Sequence, residues 1–489
     1  MTLAQRVKKG ACFMQQEPVR IWIDVEDLFV YARTATRPSG IQRVVLEICH
    51  ALRNDAHIWP AIRFVRHTPT GTDFVPVAWA EVEAISARLA GGAAAQVTGQ
   101  MVTAGTAQNA EHVSRLRRMA QHIPTSLRVP AGQMVRNLLA AGQALGALGQ
   151  ASGTFVKDVA QAEWRNRQGR GNSAPENGAF TPRAGDVVLT LGASWTHAAY
   201  GALLHRSKER YGVRAAVLVH DLVPLLWPEW CRPGLPSVFR RWYAAVLPEC
   251  DVIFANSEAT RQDVLAYAAQ HAQTVRAPVI TLPMGSGFVT DTARPTAEEA
   301  RLVAGVGAYV LCVGTLEARK NHAVLFRTWR RLLQERPAEE VPKLVLAGCQ
   351  GWLVDDLMQQ IRNSAWLEGH VVWVDAPSDA LMAHLYQNCL FTVFPSFYEG
   401  WGLPVTESLA WGKACLISDR SSLPEAGGGL AEAFDPDNGT DLLARIRRWL
   451  DDPQALATQE GAIRAGFRPV AWGNAVDVLK QALLTEKTP

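Results

Sequence analysis

The chain has 489 residues, 48% of them hydrophobic, which is enough apolar material for two sizeable α/β domains and excludes wholesale disorder. A formal net charge of +3 is too close to balance for a dedicated nucleic-acid binder. The eight cysteines are scattered without a C-x-x-C pair or zinc-like spacing, no apolar run reaches the length of a bilayer span, and the N-terminus lacks a signal-peptide core, so the expectation is reduced core thiols in a cytoplasmic protein.

The first element is Val19 to Asp27, VRIWIDVED, whose β-branched and aromatic residues predict a buried parallel strand. A Pro-Ser-Gly turn ending at Ser39 and Gly40 leads into an amphipathic helix predicted from about Gln42 to Leu52. Strand, glycine turn and helix is the arrangement that presents backbone amides to a phosphate, although many such turns bind nothing. Residues 91–182 read as an insertion rich in Ala, Gly and Gln without a strong strand pattern. Between Glu111 and Arg170 it carries nine Lys and Arg against three acids, which suits either an anionic membrane surface or a pair of surface helices and a linker.

The α/β rhythm resumes at GDVVLTLGASW and at a short strand Ala215 to Val219, with His220 and Asp221 at its carboxyl end, where open α/β sheets bind ligands. Ser257 reads as the cap of a helix supported by Thr260 and Asp263, and Gly285 to Glu299 as a linker between domains. A strand Tyr309 to Val313 then passes through Gly314 to Arg319 and Lys320, just before a helix predicted from His322 to Gln334. Two cations at a strand end are suited to neutralising a diphosphate, the arginine as a planar fork and the lysine as a point charge.

Further on, the stretch Pro395 to Gly412, PSFYEGWGLPVTESLAWG, sets Glu399 and Glu407 eight positions apart across a turn with Gly400, Gly402 and Pro404. A helix predicted from Val405 to Trp411 puts Glu407 near its start, with the amides of Gly400, Gly402 and Leu403 free to face an anion. Asp435 and Asp437 have metal-motif spacing but sit in turn-forming company, which predicts a structural bend. The last element is an amphipathic helix from about Ala471 to Leu484.

E-G-W-G-L-P-V-T-E resembles the E-x7-E signature of the retaining glycosyltransferases of family 4, the group 1 glycosyltransferases. G-T-L-E-A-R-K-N from Gly314 resembles that family's diphosphate-binding segment, and V-H-D-L-x-P its H-D-L-x-P segment. Two departures stand out: Thr315 replaces the frequent arginine after the glycine, so the leading cation must be Arg319, and Ala318 replaces a proline.

The resemblance implies a GT-B fold, two Rossmann-like domains with parallel sheets facing across a cleft. These are residues 1–285 on the acceptor side and 286–470 on the nucleotide-sugar side, with 471–489 as a helix crossing back. It implies that Ser39, Gly40, Gly314, Arg319, Lys320, Gly400, Gly402 and Leu403 hold the donor diphosphate. Glu399 would hold the transferred sugar, Glu407 the ribose, and His220 would orient sugar or acceptor. The activity implied is retaining, metal-independent transfer of a hexose, mannose- or rhamnose-type, from a nucleotide-diphosphate sugar, GDP-linked, to a saccharide or lipid-linked acceptor in bacterial surface polysaccharide synthesis. No cofactor is expected, and attachment to the inner face of the membrane stays open. The alternatives are a sugar-nucleotide epimerase of related fold, disfavoured by the Arg-Lys loop and the glutamate pair, and a non-catalytic sugar-nucleotide-binding scaffold.

Overall fold

The structure, a computed structural model, describes residues 18–90, 96–98, 179–286 and 295–484, except 36, 68–70 and 274. The basic stretch 111–170, with the membrane-surface reading attached to it, lies outside the described residues, as do 287–294 of the expected linker.

In chain order the strands are β1 (Ile21–Asp24), β2 (Ile62–Arg66), β3 (Val75–Val77), β4 (Gln96–Thr98), β5 (Val187–Thr190), β6 (Arg214–Val219), β7 (Val252–Ala255), β8 (Val279–Thr281), β9 (Tyr309–Val313), β10 (Lys343–Ala347), β11 (Val371–Asp375), β12 (Thr392–Phe394), β13 (Cys415–Ser418) and β14 (Glu432–Phe434). They form two seven-stranded sheets, ordered β3-β2-β1-β5-β6-β7-β8 and β14-β13-β12-β9-β10-β11-β4. Neighbours are parallel except at one edge of each sheet, where β3 runs antiparallel to β2 and β4 to β11. This is the GT-B arrangement of two doubly wound sheets.

The central strands are mostly apolar on both faces, with polar residues mainly at their ends, because helices cover both sides. In the first sheet Ile21, Ile23, Leu218 and Phe254 face the Gly40–Asn54 helix and the C-terminal Trp472–Leu484 helix. Trp22, Val188, Val217 and Ile253 alternate to the other side, against Tyr200, Leu203, Phe239 and Tyr243. In the second sheet Val310, Cys312 and Leu344 pack with Leu325, Trp329 and Leu332 of the His322–Glu335 helix. Leu311, Val345 and Val372 pack on the reverse with Leu381, Leu385 and Tyr386.

The C-terminal helix crosses back as expected. Ala475, Val476, Leu479 and Leu483 enter the core of the first sheet, Lys480 pairs with Asp55 at 2.8 Å, and the Leu483 carbonyl accepts from Arg214 at 2.6 Å. Its approach runs beside the outgoing link between the sheets, with the Ser286 amide donating to the Val470 carbonyl at 2.9 Å and the Val470 amide to Ser286 Oγ at 2.6 Å.

Each sheet has a switch point, where successive connections leave to opposite sides and the loops part to leave a crevice at the carboxyl ends of the strands. In the first sheet it lies between β1 and β5, in the second between β9 and β12. The second places the loop after β9, with Arg319 and Lys320, beside the loop after β12, with Glu399.

Several local expectations are corrected. The strand expected to Asp27 stops at Asp24, and Glu26–Tyr31 is helical; its two leading acids, Glu26 and Asp27, suit a helix N-terminus. The linker expected through Glu299 already contains a helix, Ala297–Ala304, started by a reciprocal capping box between Thr296 and Glu299. Residues Gln96–Thr98, inside the stretch read as lacking strands, supply the edge strand β4; a three-residue edge is set by the partner it pairs with more than by its own propensity. Of seven described cysteines, all free, six are buried, but Cys349 is exposed.

Candidate active site

The loop after β9 turns sharply at Gly314, whose φ of +142° disfavours any side chain, and the Lys320 chain lies across the glycine, 3.1 Å from where a Cβ would stand. Arg319 and Lys320 end a single 3-10 turn, Ala318–Lys320, before the His322–Glu335 helix. Both reach Glu399. Arg319 Nη1 donates to Glu399 Oε2 at 2.6 Å and Lys320 Nζ to Oε1 at 2.7 Å, while Ser396 Oγ donates to Oε1 at 2.8 Å. Arg319 also holds Glu317 at 2.7 Å and the Tyr398 carbonyl at 2.8 Å.

Burial of Glu399 would raise its carboxyl, but the two neighbouring cations outweigh that and hold it down to about 2. Burial pushes the Glu317 and Asp221 carboxyls up, against the pull of Arg319. The corner is a buried ionic cluster in which two cations meet the carboxylates of Glu317 and Glu399.

Glu407 is organised differently. The helix of its turn begins at Leu403, two residues earlier than expected, with Gly402 at φ +116° before it and Pro404 in its first turn. Glu407 therefore sits in the second turn, and its contacts come from the side: Tyr386 Oη donates to Oε2 at 2.9 Å and Arg43 Nη1 to Oε1 at 2.8 Å. Arg43 lies one turn into the helix that Gly40 opens, so Ser39 and Gly40 are brought to the Glu407 side by this ion pair. Ser39 Oγ bonds Gln42 and does not cap the helix, and nothing stands within 4 Å of a Cβ at Gly40.

The first sheet meets the turn at Gly400, where a Cβ would overlap the His220 carbonyl oxygen, and Thr260 Oγ1 donates to the Gly400 carbonyl at 3.3 Å. Only a glycine permits this approach. The His220 ring points back into its own sheet, with Nε2 2.7 Å from the Leu191 carbonyl. Burial lowers its pKa to about 4, so the ring is neutral at physiological pH. Further contacts join the two halves: Arg37 Nε to the Ala376 carbonyl at 2.9 Å, Trp352 Nε1 to the Trp230 carbonyl at 2.7 Å, and the Tyr398 hydroxyl to Asp263, drawing away a residue expected to serve its own helix start. Ser257 caps that helix, Glu258–Gln270, as expected, accepting from the Thr260 amide at 3.0 Å.

Asp435 and Asp437 form the expected bend, with the Asp437 amide donating to Asp435 Oδ1 at 3.0 Å, and the Arg420 guanidinium sits between the carboxylates at 3.0 and 3.2 Å. Several site residues have no motif to announce them. Arg43 and Tyr386, which hold Glu407, are ordinary helix residues in sequence. Asp27, near Gly192 and bonded by Gln42 at 3.3 Å, is pushed up to about 6 by desolvation at the carboxyl end of β1. The acidic run Asp24-Val25-Glu26-Asp27 at a strand end was the available signal for it.

Residues 294–465, which include Arg319, Lys320, Glu399 and Glu407, match the family Glycosyl transferases group 1. A serotype-specific mannosyltransferase WbdA of Escherichia coli is 29% identical over 247 residues, covering 49% of this chain and 30% of that protein. The O-antigen chain mannosyltransferase B of Escherichia coli is 32% identical over 168 residues, 34% of this chain and 43% of that one. The chain thus spans less than half the length of these relatives. Among solved structures, an α,α-trehalose-phosphate synthase from Burkholderia xenovorans aligns with a TM-score of 0.48 at 13% identity, covering 61% of this chain and 73% of that one. Residues 294–465, the second-sheet part of the chain, are thus similar to the group 1 glycosyl transferases, and the two doubly wound sheets have the GT-B arrangement.

Proposed function

We propose that the chain is a retaining hexosyltransferase that moves a mannose- or rhamnose-type sugar from a nucleotide-diphosphate donor, GDP-linked, to a saccharide or lipid-linked saccharide in bacterial surface polysaccharide synthesis. The observation that carries this reading is the cluster at the second switch point. There Arg319, Lys320 and Ser396 fix an ionised Glu399 beside a glycine turn that opens a helix. The names of the Escherichia coli relatives favour mannose and an O-antigen product.

The carboxylates still have acceptor capacity. An ionised carboxylate offers about four lone-pair positions. Three bonds fill Glu399, leaving room for one sugar hydroxyl, while Glu407 receives Arg43 and Tyr386 and retains room for the ribose diol. Because Glu317 and Glu399 balance Arg319 and Lys320, further attraction for a diphosphate comes from the amides of Gly400, Gly402 and Leu403 and from the helix starts at Leu403 and Gly40.

These groups stabilise the departing diphosphate without a metal, and the first carboxylate stands by the sugar as positive charge develops on it. The leaving phosphate oxygen takes the acceptor proton on the same face, so the configuration is retained. His220, neutral and fixed to Leu191, shapes the wall on which sugar or acceptor lies. The working place is the inner face of the cytoplasmic membrane, where donor and lipid-linked acceptor meet.

Thermal unfolding with GDP-mannose, dTDP-rhamnose and UDP-glucose tests the reading, since a ligand selective for the native state raises the midpoint. A rise with GDP-mannose and no divalent metal is expected. No rise with any of the three, with no transfer to a mannose-terminated acceptor, would overturn it.

A further inference from the structure

At the rim between the two sheets the structure holds a ladder of aromatic rings, rooted where Trp230 packs against the small buried cluster of Val223, Cys231 and Tyr398 and ending in an open indole. Trp227 stacks on Trp230 with centroids 5.0 Å apart and planes 21° from parallel; Trp230 stacks on Phe397 at 5.4 Å and 13°. The outer ring is open to solvent: Trp227 is 41% exposed, more than any other aromatic among the described residues. The ladder also crosses from one half of the molecule to the other. Trp227 and Trp230 follow His220 in the loop after β6, and Phe397 lies two residues before Glu399.

The inner and middle rings of the ladder are held in place. The Phe397 amide donates to the Arg319 carbonyl at 2.8 Å, tying the inner ring to the cation corner. Trp352 Nε1 donates to the Trp230 carbonyl at 2.7 Å, and the Arg232 guanidinium lies over the Trp352 ring at 5.0 Å. A rigid, flat, partly open indole with charged neighbours is suited to a ligand that is apolar on one face and hydroxylated at its rim. A pyranose has that character: its C–H face stacks on the ring while its hydroxyls stay at the polar rim.

Resting on the transferase reading above, we propose that Trp227, backed by Trp230 and Phe397, is a stacking subsite for the saccharide portion of the acceptor, guiding a sugar chain toward Glu399. The acceptor then engages through sugar units beyond the one that receives the new residue. The continuity of the ladder with the Arg319 and Glu399 corner favours a saccharide over a lipid surface, which has no reason to be led there.

The test is isothermal titration with mannotriose on the full chain, comparing wild type with Trp227→Ala, Trp227→Phe and Leu265→Ala, the last an equally exposed apolar residue on the Glu258–Gln270 helix. Trp227→Ala is expected to weaken mannotriose binding roughly two- to tenfold, Trp227→Phe less, and Leu265→Ala not at all. Undiminished binding in Trp227→Ala, or no binding to wild type, overturns the subsite. Loss of retention on phosphatidylglycerol vesicles in Trp227→Ala with mannotriose binding unchanged also overturns it, in favour of a lipid contact. If mannotriose binding depends on Trp227 while no nucleotide sugar raises the unfolding midpoint, the subsite stands and the transferase reading falls.

Discussion

Glu399 and Glu407 stand eight positions apart in one turn, yet they are held by different parts of the molecule. Among the described residues, the Glu399 carboxylate is bonded by Arg319, Lys320 and Ser396, which all come from the loops after β9 and β12 of its own sheet. Glu407 shares its charge with Arg43, on a helix of the other sheet. The first carboxylate is therefore preorganised by the fold of one domain. The second carboxylate is held from both halves, by Tyr386 on its own side and by Arg43 from the other.

The largest effect expected from breaking this contrast is at Glu399. Glu399→Gln keeps the size and removes the charge that balances Arg319 and Lys320; transfer should fall by at least about a hundredfold while nucleotide binding is largely kept. Steady-state transfer and calorimetric nucleotide binding decide it, and unchanged transfer removes the sugar-holding role.

Arg43→Ala should act on the other carboxylate only. A roughly tenfold rise in donor KM with a smaller change in kcat is the expected pattern, since the variant loosens the nucleotide end and leaves the Arg319 corner intact. An equal fall in kcat and kcat/KM would place Arg43 in the transition state instead.

A pH series sharpens the same comparison through stability. The His220 imidazole is lowered to about 4 in the folded protein, against an ordinary value near 6.5, so as pH falls from 6.5 to 4 the unfolded chain takes up a proton the folded chain refuses, and stability falls. The Glu399 carboxyl is lowered to about 2, so its contribution is full above 4.5 and is lost as pH falls from there to 2. The Asp27 carboxyl, raised to about 6, opposes the His220 effect in the upper window, so that window is read as the difference between wild type and His220→Gln, and the lower one as the difference from Glu399→Gln. No difference between wild type and His220→Gln from pH 6.5 to 4 contradicts the buried neutral ring.

The smallest effect concerns a contact between the halves that no motif suggests. The Glu425 carboxylate accepts from the Glu258 amide at 3.0 Å and the Ala259 amide at 3.4 Å, at the start of the Glu258–Gln270 helix. Glu425→Gln should cost about 0.3–1 kcal/mol of stability, the usual worth of a charge at a helix N-terminus, read as a lower urea midpoint. No shift would mean that water serves those amides as well.

Much of this was legible in sequence for a physical reason. Strands buried on both faces read as continuous apolar runs, and turns that need glycine announce themselves, so β9, Gly314 and the Glu399 turn were located from pattern alone. The resemblance of Gly314 to Asn321 and of Glu399 to Glu407 then supplied the family. The contacts between halves were not legible. Arg43, Glu425 and Tyr398 have no periodicity that distinguishes them from solvated helix or turn residues, and their partners lie 135 to 364 positions away. The helix starts at Leu403, ahead of the Val405 start the turn pattern predicts, because Pro404 belongs to the first helical turn, where proline is at home. The edge strand Gln96–Thr98 is too short for its own pattern to show.

The most direct measurement of the central claim is donor turnover by Lys320→Ala with GDP-mannose in the presence of a chelator. If Arg319 and Lys320 stabilise the leaving diphosphate without a metal, the wild type turns over and the variant, folded by circular dichroism, binds the donor more weakly and does not. Wild-type turnover in the variant, or activity in the wild type that disappears with the chelator and returns with a divalent metal, would contradict the account.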